Sequence, residues 1–109
     1  MNNNDLIKNL KLGFMGTPSF AVPILESLIE DNYYIDYVYT QPGRPAGRGM
    51  KSKNSIIYDV AKKNNIEVRV PKKLDDEEFS FLTERVVDII IVAAYGLILP
   101  EKILTIPKF

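Results

Sequence analysis

The chain has 109 residues, of which 46% are hydrophobic and 26% are charged, and this is typical of a single soluble globular domain. Its 14 basic and 14 acidic side chains cancel, so attraction to a nucleic acid or a membrane would depend on local clustering. Cysteine and histidine are both absent, which excludes disulfides, thiolate and imidazole metal ligands, and the commonest general base near neutral pH.

No apolar stretch is long enough to cross a membrane. The longest, Ile89 to Ala94, is far shorter than the roughly 20 residues that a bilayer requires. The first residues, Met1 to Asp5, lack the basic and apolar regions of a signal peptide and the arginines of a transit peptide. We therefore expect no membrane partner and a cytoplasmic setting.

The first half of the chain predicts a strand, a helix and a second strand. Leu12 to Met15 form an apolar run that stops at Gly16-Thr17-Pro18. The following segment is amphipathic, and its early Pro23 requires a position near the first helical turn. Two adjacent rows form its apolar face: Phe20, Ile24 and Leu28, and Ala21, Leu25 and Ile29. The β-branched and aromatic run Ile35 to Tyr39 predicts the second strand.

A Gly/Pro-rich loop from Gln41 to Lys53 separates this strand from the next helix. Ser55 can cap that helix, which ends at Asn64-Asn65 before a short strand at Glu67 to Val70. The residues predicted to face inward are Ile56, Ile57, Val60 and Ala61.

The last part predicts one more helix and a buried strand. Asp75 and Glu78 have the spacing of a capping pair, and Phe79 and Leu82 supply an apolar face. The run Val86 to Ala94 is typical of a central parallel strand covered on both faces. The alternation predicts an α/β fold with a doubly wound, Rossmann-like parallel sheet, in which ligands bind beyond the carboxyl ends of the strands.

Two turns lie at those predicted strand ends. At Gly16 and Thr17, the glycine lets a ligand approach the backbone closely, and the start of the helix offers free amide groups to an anion. The structural alternative is that a strand-to-helix turn needs a glycine and a capping threonine in any case. The second turn runs from Tyr95 and Gly96 to Pro100. It could hold a flat heterocycle through main-chain groups, or simply lead into a short helix up to Thr105.

The loop between Gln41 and Lys53 carries four cations and no acid. Its glycines and prolines exclude regular helix or strand, and its length exceeds that of most connections in compact domains. The composition suits a phosphate backbone, but it is equally compatible with a solvated surface loop. The cations are Arg44, Arg48, Lys51 and Lys53.

Two further groups favour structural roles. The acids Asp75 to Glu78 are better explained by the dipole at a helix start than by a metal site. The tyrosines around the second strand are better explained by packing than by base stacking. These are Tyr33, Tyr34, Tyr37 and Tyr39.

Three segments, taken together, resemble the methionyl-tRNA formyltransferase family. They are Phe14 to Pro23, Tyr39 to Gly49, and Val92 to Pro100. The resemblance covers nearly the whole chain after the first ten residues. It implies transfer of a formyl group from 10-formyltetrahydrofolate, as co-substrate and without a metal, to the methionine of initiator methionyl-tRNA. It also implies a monomeric parent enzyme.

The resemblance assigns roles to individual residues. Arg48 is expected to contact the acceptor end of the tRNA, with Arg44, Lys51 and Lys53 on phosphates. The backbone of Leu97, Ile98 and Leu99 is expected to line the pterin pocket. Gly16, Thr17, Tyr95 and Gly96 are expected to border the crevice.

The chain departs from the family pattern in two places. Ser55-Ile56 replaces a Ser-Pro pair, and the Asn-x-His element and distant Asp that perform the chemistry are expected beyond Phe109. Residues 1–109 are therefore expected to be the N-terminal part of the catalytic domain, inactive alone. The sheet would be incomplete at its C-terminal side, which would uncover part of Val86 to Ala94 and favour self-association.

Two alternatives remain open at this point. The first is a non-catalytic tRNA- or nucleotide-binding module that uses the basic loop. The second is a formyltransferase that acts on a nucleotide sugar, which the basic insertion disfavours.

Overall fold

The computed structural model describes residues 9–45 and 52–96, within which strands and helices alternate. Within these ranges the predicted strands and helices are confirmed, with ends that differ by one or two residues at most places and by three at the start of the last strand; the short helix considered up to Thr105 lies outside the described residues. The elements are β1 (Lys11–Gly16), a 3-10 turn (Ser19–Ala21), α1 (Val22–Glu30), β2 (Tyr34–Tyr39), β3 (Arg44–Pro45), β4 (Ser52–Lys53), α2 (Ile56–Lys63), β5 (Val68–Arg69), α3 (Asp76–Glu84) and β6 (Ile89–Ala93).

Four strands form one parallel sheet in the order β5-β2-β1-β6. Successive residues of β1 point to opposite faces. Phe14 packs with Leu25 of α1 and Ile57 of α2, whereas Met15 packs with Leu82 of α3. Helices therefore cover both faces, and the predicted α/β doubly wound fold is confirmed.

The predicted apolar helix faces are wider than the faces that the sheet covers. In and before α1, Ala21 and Leu25 are fully buried, whereas Phe20 is 66% exposed and Ile24 is 42% exposed. In α2, Ile57 and Ala61 are buried, but Ile56 is 49% exposed, so its predicted inward orientation was wrong. The row Ala21, Leu25 and Ile29 faces the core, and the neighbouring row is rotated away from it by about 100°, so that only Leu28 of that row still packs against the core.

Local sequence signals fix the ends of the helices. The predicted caps are confirmed: Ser55 Oγ accepts a hydrogen bond from the Tyr58 amide, and Asp75 Oδ1 accepts one from the Glu78 amide. Asn32 and Asn65 follow the ends of α1 and α2 with φ of 65° and 59°. Asparagine tolerates this left-handed conformation, which closes the last turn of each helix.

Strand β6 occupies one edge of the sheet in the described part of the chain, where it pairs with β1. Ile89, Ile90 and Ile91 are only half-buried, and Val92 is 48% exposed. Ile90 and Ile91 nevertheless pack against the cores on the two faces of the sheet, so within the described residues β6 is a partly covered edge strand and not the fully covered central strand that was predicted. The expected uncovering of part of Val86 to Ala94 agrees with the exposure of Val86 and Val92, whereas Val87 is buried.

Candidate functional site

The candidate site lies where the chain order of the sheet reverses. From β1 the chain continues to β2 and β5 on one side, and it returns as β6 on the other side of β1. Gly16 pairs with Ala93 at the end of this ladder, so the turns after β1 and β6 are neighbours. Parallel sheets bind ligands at such a reversal.

Thr17 joins these two turns through its side chain. Its hydroxyl donates to the Tyr95 carbonyl oxygen at 2.8 Å, across 78 residues of sequence. The same oxygen of Thr17 accepts the Gln41 backbone N–H at 3.1 Å. The structure thus brings together Gly16, Thr17, Tyr95 and Gly96, while their role in lining a ligand crevice stays a prediction.

The two glycines are required by space and by backbone conformation. A Cβ on Gly16 would lie 2.9 Å from the Ala93 carbonyl oxygen and 3.2 Å from Ala21 Cβ, so a side chain would push β1 from its neighbours. Gly96 has φ +97°, and a Cβ there would overlap the carboxamide nitrogen of Gln41. The sequence signal was a glycine at the end of a predicted strand for Gly16 and a glycine shortly after one for Gly96.

Thr40, Gln41 and Ser55 were not predicted to belong to this site. Gln41 Nε2 donates to the Tyr95 carbonyl oxygen at 3.1 Å, so that oxygen accepts two hydrogen bonds. Thr40 is fully buried, and its hydroxyl lies 2.8 Å from Ser55 Oγ and 3.4 Å from Thr17 Oγ1. We call Thr17, Thr40, Gln41, Ser55 and the Tyr95 carbonyl the edge cluster. The sequence signal that could have indicated this cluster is the polar pair Thr40-Gln41 directly after β2.

The base of the predicted basic loop forms a short antiparallel hairpin. Arg44 pairs with Lys53, and Pro45 pairs with Ser52. The prediction that the loop holds no regular strand was wrong at these two ends, because the loop leaves and returns at one point of the sheet and its ends meet. Arg48, Lys51, Leu97, Ile98 and Leu99 lie outside the described residues.

A partly buried ion pair lies beside the edge cluster, where the Arg69 carbonyl oxygen accepts the Thr40 backbone N–H at 3.1 Å. Arg69 Nε and Nη2 donate to the two carboxylate oxygens of Glu78 at 2.6 and 3.0 Å, and the Tyr39 hydroxyl donates to the same carboxylate at 2.8 Å. The hydrogen bonds from Arg69 hold the pKa of Glu78 below its usual value. Tyr39 in turn packs edge-to-face on Tyr95, with ring centroids 6.3 Å apart.

Burial raises the pKa of the Tyr95 hydroxyl, so the group stays neutral throughout the physiological range. The hydroxyls of Tyr95 and Tyr37 are buried without a hydrogen-bond partner among the described residues. Tyr37 and Tyr39 are fully buried, which agrees with the predicted packing role, whereas Tyr34 is 57% exposed. These side chains contribute packing rather than a charged group to the site.

Carboxylates of Asp75, Glu77 and Glu78 lie within 4.8 Å of one another at the start of α3. Asp75 caps the helix, and Glu78 is occupied by Arg69 and Tyr39. Glu78 therefore forms a partly buried ion pair in addition to the predicted complement to the helix dipole.

The described residues contain no helix that is long and apolar enough to span a membrane.

A cleft of about 310 Å³ lies at the opposite, amino-terminal edge of the sheet, between the ends of α1 and α2. Its lining includes Asn32, Tyr33, Tyr34 and Ile35. We call it the opposite cleft, and it provides a reference position for binding experiments.

Comparison with known proteins assigns the chain to a family. Residues 10–109 match the model of the formyl transferase family. A methionyl-tRNA formyltransferase of Clostridium acetobutylicum is 51% identical over 102 residues, which cover 92% of this chain and 33% of that protein. A methionyl-tRNA formyltransferase of Acetivibrio thermocellus is 45% identical over 101 residues, which cover 92% of this chain and 32% of that protein.

The methionyl-tRNA formyltransferase of Pelagibacter ubique is similar to the same extent, with 48% identity over 100 residues that cover 90% of this chain and 32% of that protein. The chain spans about a third of the length of these curated relatives. The family match, the parallel sheet and the turns at its carboxyl edge agree: the chain belongs to the formyl transferase family.

Proposed function

We propose that these residues form the N-terminal part of a formyltransferase domain that formylates initiator methionyl-tRNA with 10-formyltetrahydrofolate. The observation that carries the proposal is the 45–51% identity, over about nine-tenths of the chain, to proteins named methionyl-tRNA formyltransferase. The edge cluster supports it, because it occupies the sheet reversal where a doubly wound fold binds its ligand.

The folate-type donor would bind against the segment that follows β6. Both lone pairs of the Tyr95 carbonyl oxygen are already used by Thr17 and Gln41. A pterin edge would therefore take its hydrogen bonds from main-chain groups further along, which our proposal assigns to Leu97, Ile98 and Leu99. Gly16, Thr17 and Gly96 would border the same crevice without a charged group.

The acceptor end of the tRNA would bind along the basic hairpin. The register of β3 and β4 places Arg44 opposite Lys53, so two cationic residues lie together at the base of the hairpin. Arg48 and Lys51 would extend this positive surface towards phosphates, where arginine can donate two parallel hydrogen bonds. The hairpin starts three residues after Gln41, so the two binding regions would adjoin.

In the proposed reaction the methionyl amine attacks the formyl carbon, a C–N bond forms, and the N10–formyl bond breaks with proton transfer from the amine to the folate nitrogen. This needs a donor to the developing oxyanion and a proton acceptor. The 109 residues contain no histidine. We propose that the Asn, His and Asp expected beyond Phe109 supply these groups, and that the present residues supply binding.

Binding titrations of the purified 109-residue polypeptide test the proposal. We expect initiator tRNA to bind, and Arg48→Ala to weaken it about fivefold or more, as for loss of one arginine contact. Lys72→Ala removes an exposed charge outside the hairpin and should change the affinity little. We also expect tetrahydrofolate to bind, without any formylation of methionyl-tRNA above a no-protein control.

Three results would contradict the proposal in different ways. Binding of tRNA without any folate response would favour the non-catalytic RNA-binding module. Equal effects of Arg48→Ala and Lys72→Ala would remove the hairpin from the RNA site. Formylation by the 109-residue polypeptide would refute the assignment of the chemistry to residues outside it.

A further inference from the structure

Gln41 bridges two segments that are far apart in sequence. Its backbone N–H donates to Thr17 Oγ1 at 3.1 Å, and its carboxamide donates to the Tyr95 carbonyl oxygen at 3.1 Å, across 54 residues. Gln41 is the second residue after β2, at the point where the basic loop leaves the sheet. It therefore connects the start of that loop to the turn after β6.

The other end of the loop is held by a hydrogen bond at the same edge of the sheet. The hydroxyls of Thr40 and Ser55 lie 2.8 Å apart, which brings the residue before Gln41 to the residue before α2. Three residues after Gln41, the β3–β4 pairs close the base of the hairpin. The direction in which the hairpin leaves the sheet is thus set by the edge cluster.

The carboxamide of Gln41 has a fixed orientation. The Tyr95 carbonyl can only accept a hydrogen bond, so the nitrogen of the carboxamide must face it. The side chain also lies against Gly96, where any Cβ would overlap it. A change in the turn after β6 must therefore move Gln41, and a change at Gln41 must move the turn.

We propose that Gln41 is a positioning residue that couples the basic hairpin to the turn after β6, so that a ligand held at that turn alters the hairpin. The identity of the ligands rests on the proposed function, with a folate at the turn and RNA at the hairpin. The coupling itself rests on the described contacts. Such coupling is reciprocal: RNA on the hairpin would strengthen folate binding by the factor by which folate strengthens RNA binding.

Amide hydrogen exchange tests the coupling without any ligand. The comparison uses Gln41→Met, which keeps the length of the side chain but cannot donate, and Asn54→Ala, an exposed residue at the other end of the loop. We expect Gln41→Met to speed exchange of the amides of Arg44 in β3, of Ser52 and Lys53 in β4 and of Gly96 about fivefold, the effect of one typical hydrogen bond. Asn54→Ala should leave these amides unchanged, and the β1 amides should be unchanged in both variants.

The conservative variant Gln41→Glu distinguishes loss of the hydrogen bond to Tyr95 from a general destabilisation of the loop. In Gln41→Glu the ionised carboxylate has no donor, whereas the protonated carboxyl has an O–H that can donate to Tyr95. The carbonyl oxygen disfavours the ionised form, so the pKa of this carboxyl should lie above its usual value of about 4.3. Relative to the wild type at the same pH, the hairpin amides of Gln41→Glu should exchange faster at pH 7.5 and return to the wild-type rate as the pH falls through that pKa, whereas those of Gln41→Met should remain faster than wild type at every pH.

Addition of tetrahydrofolate distinguishes failure of this inference from failure of the proposed function. In the wild type we expect the folate to shift the amide signals of β3 and β4, and in Gln41→Met we expect this response to be lost while folate still binds. Unchanged exchange in Gln41→Met, or a folate response that survives in it, would overturn the coupling. Altered exchange without folate binding to the wild type would leave the coupling intact and overturn the proposed function.

Discussion

Replacement of Gly96 by alanine should destabilise the protein through two separable effects. Its φ of +97° lies outside the left-handed region that alanine tolerates, which costs about 1–3 kcal/mol. The new Cβ would also displace the Gln41 carboxamide, and loss of its hydrogen bond to Tyr95 costs about 1 kcal/mol. We expect the free energy of unfolding to fall by about 2–4 kcal/mol in total.

A double-mutant cycle separates the two effects. Urea unfolding is measured for the wild type, Gly96→Ala, Gln41→Ala and the double variant. Once Gln41 has been truncated, Gly96→Ala should cost only the backbone part, so the two changes should couple by about 1 kcal/mol. Strictly additive costs would refute the packing of Gln41 against Gly96, and a cost near zero for Gly96→Ala would refute the backbone argument as well.

Three further outcomes are expected. Glu78→Gln should cost about 2 kcal/mol near neutral pH, and Glu77→Gln almost nothing. Because the folded-state pKa of Glu78 is lowered, its stabilisation is complete above the unfolded-state value of 4.5 and is lost as the pH falls through the folded-state value. The cost of Glu78→Gln in acid titrations should shrink accordingly, and a constant cost would contradict the ion pair. Ala94 has φ 55°, so Ala94→Gly should raise the free energy of unfolding by about 0.5 kcal/mol and with it the thermal midpoint, whereas Ala93→Gly within β6 should lower both. The exposed β6 edge should give a concentration-dependent mass by light scattering, which Val92→Lys should reduce; a monomer at all concentrations would contradict that expectation.

The sequence predicted the elements well because their signals are local. The caps Ser55 and Asp75, the turn at Gly16 and the apolar run around Ile90 each depend on neighbours within a few residues. The position of a strand in the sheet is different. An apolar run is expected for any strand with a covered face, and the half-exposed edge position of β6 follows from the order of all four strands.

The candidate site was predicted in part for the same reason. Thr17 and Gly96 follow strands, and strand ends are where ligands bind in parallel sheets. Gln41 acts through contacts with residues 24 and 54 positions away, which no local pattern indicates. Glu78 was interpreted as a helix-start acid because its partners, Arg69 and Tyr39, are brought to it only by the packing of α3 on the sheet.

Ligand binding can be mapped directly onto the isotope-labelled chain by NMR. With tetrahydrofolate and an acceptor-stem RNA, we expect shifted amide signals at the carboxyl edge, at Thr17, Gln41 and Gly96. The opposite cleft, represented by Asn32 and Tyr33, should remain unchanged. Shifts confined to the opposite cleft, with an unchanged edge cluster, would contradict the claim that this family member binds its ligands at the sheet reversal.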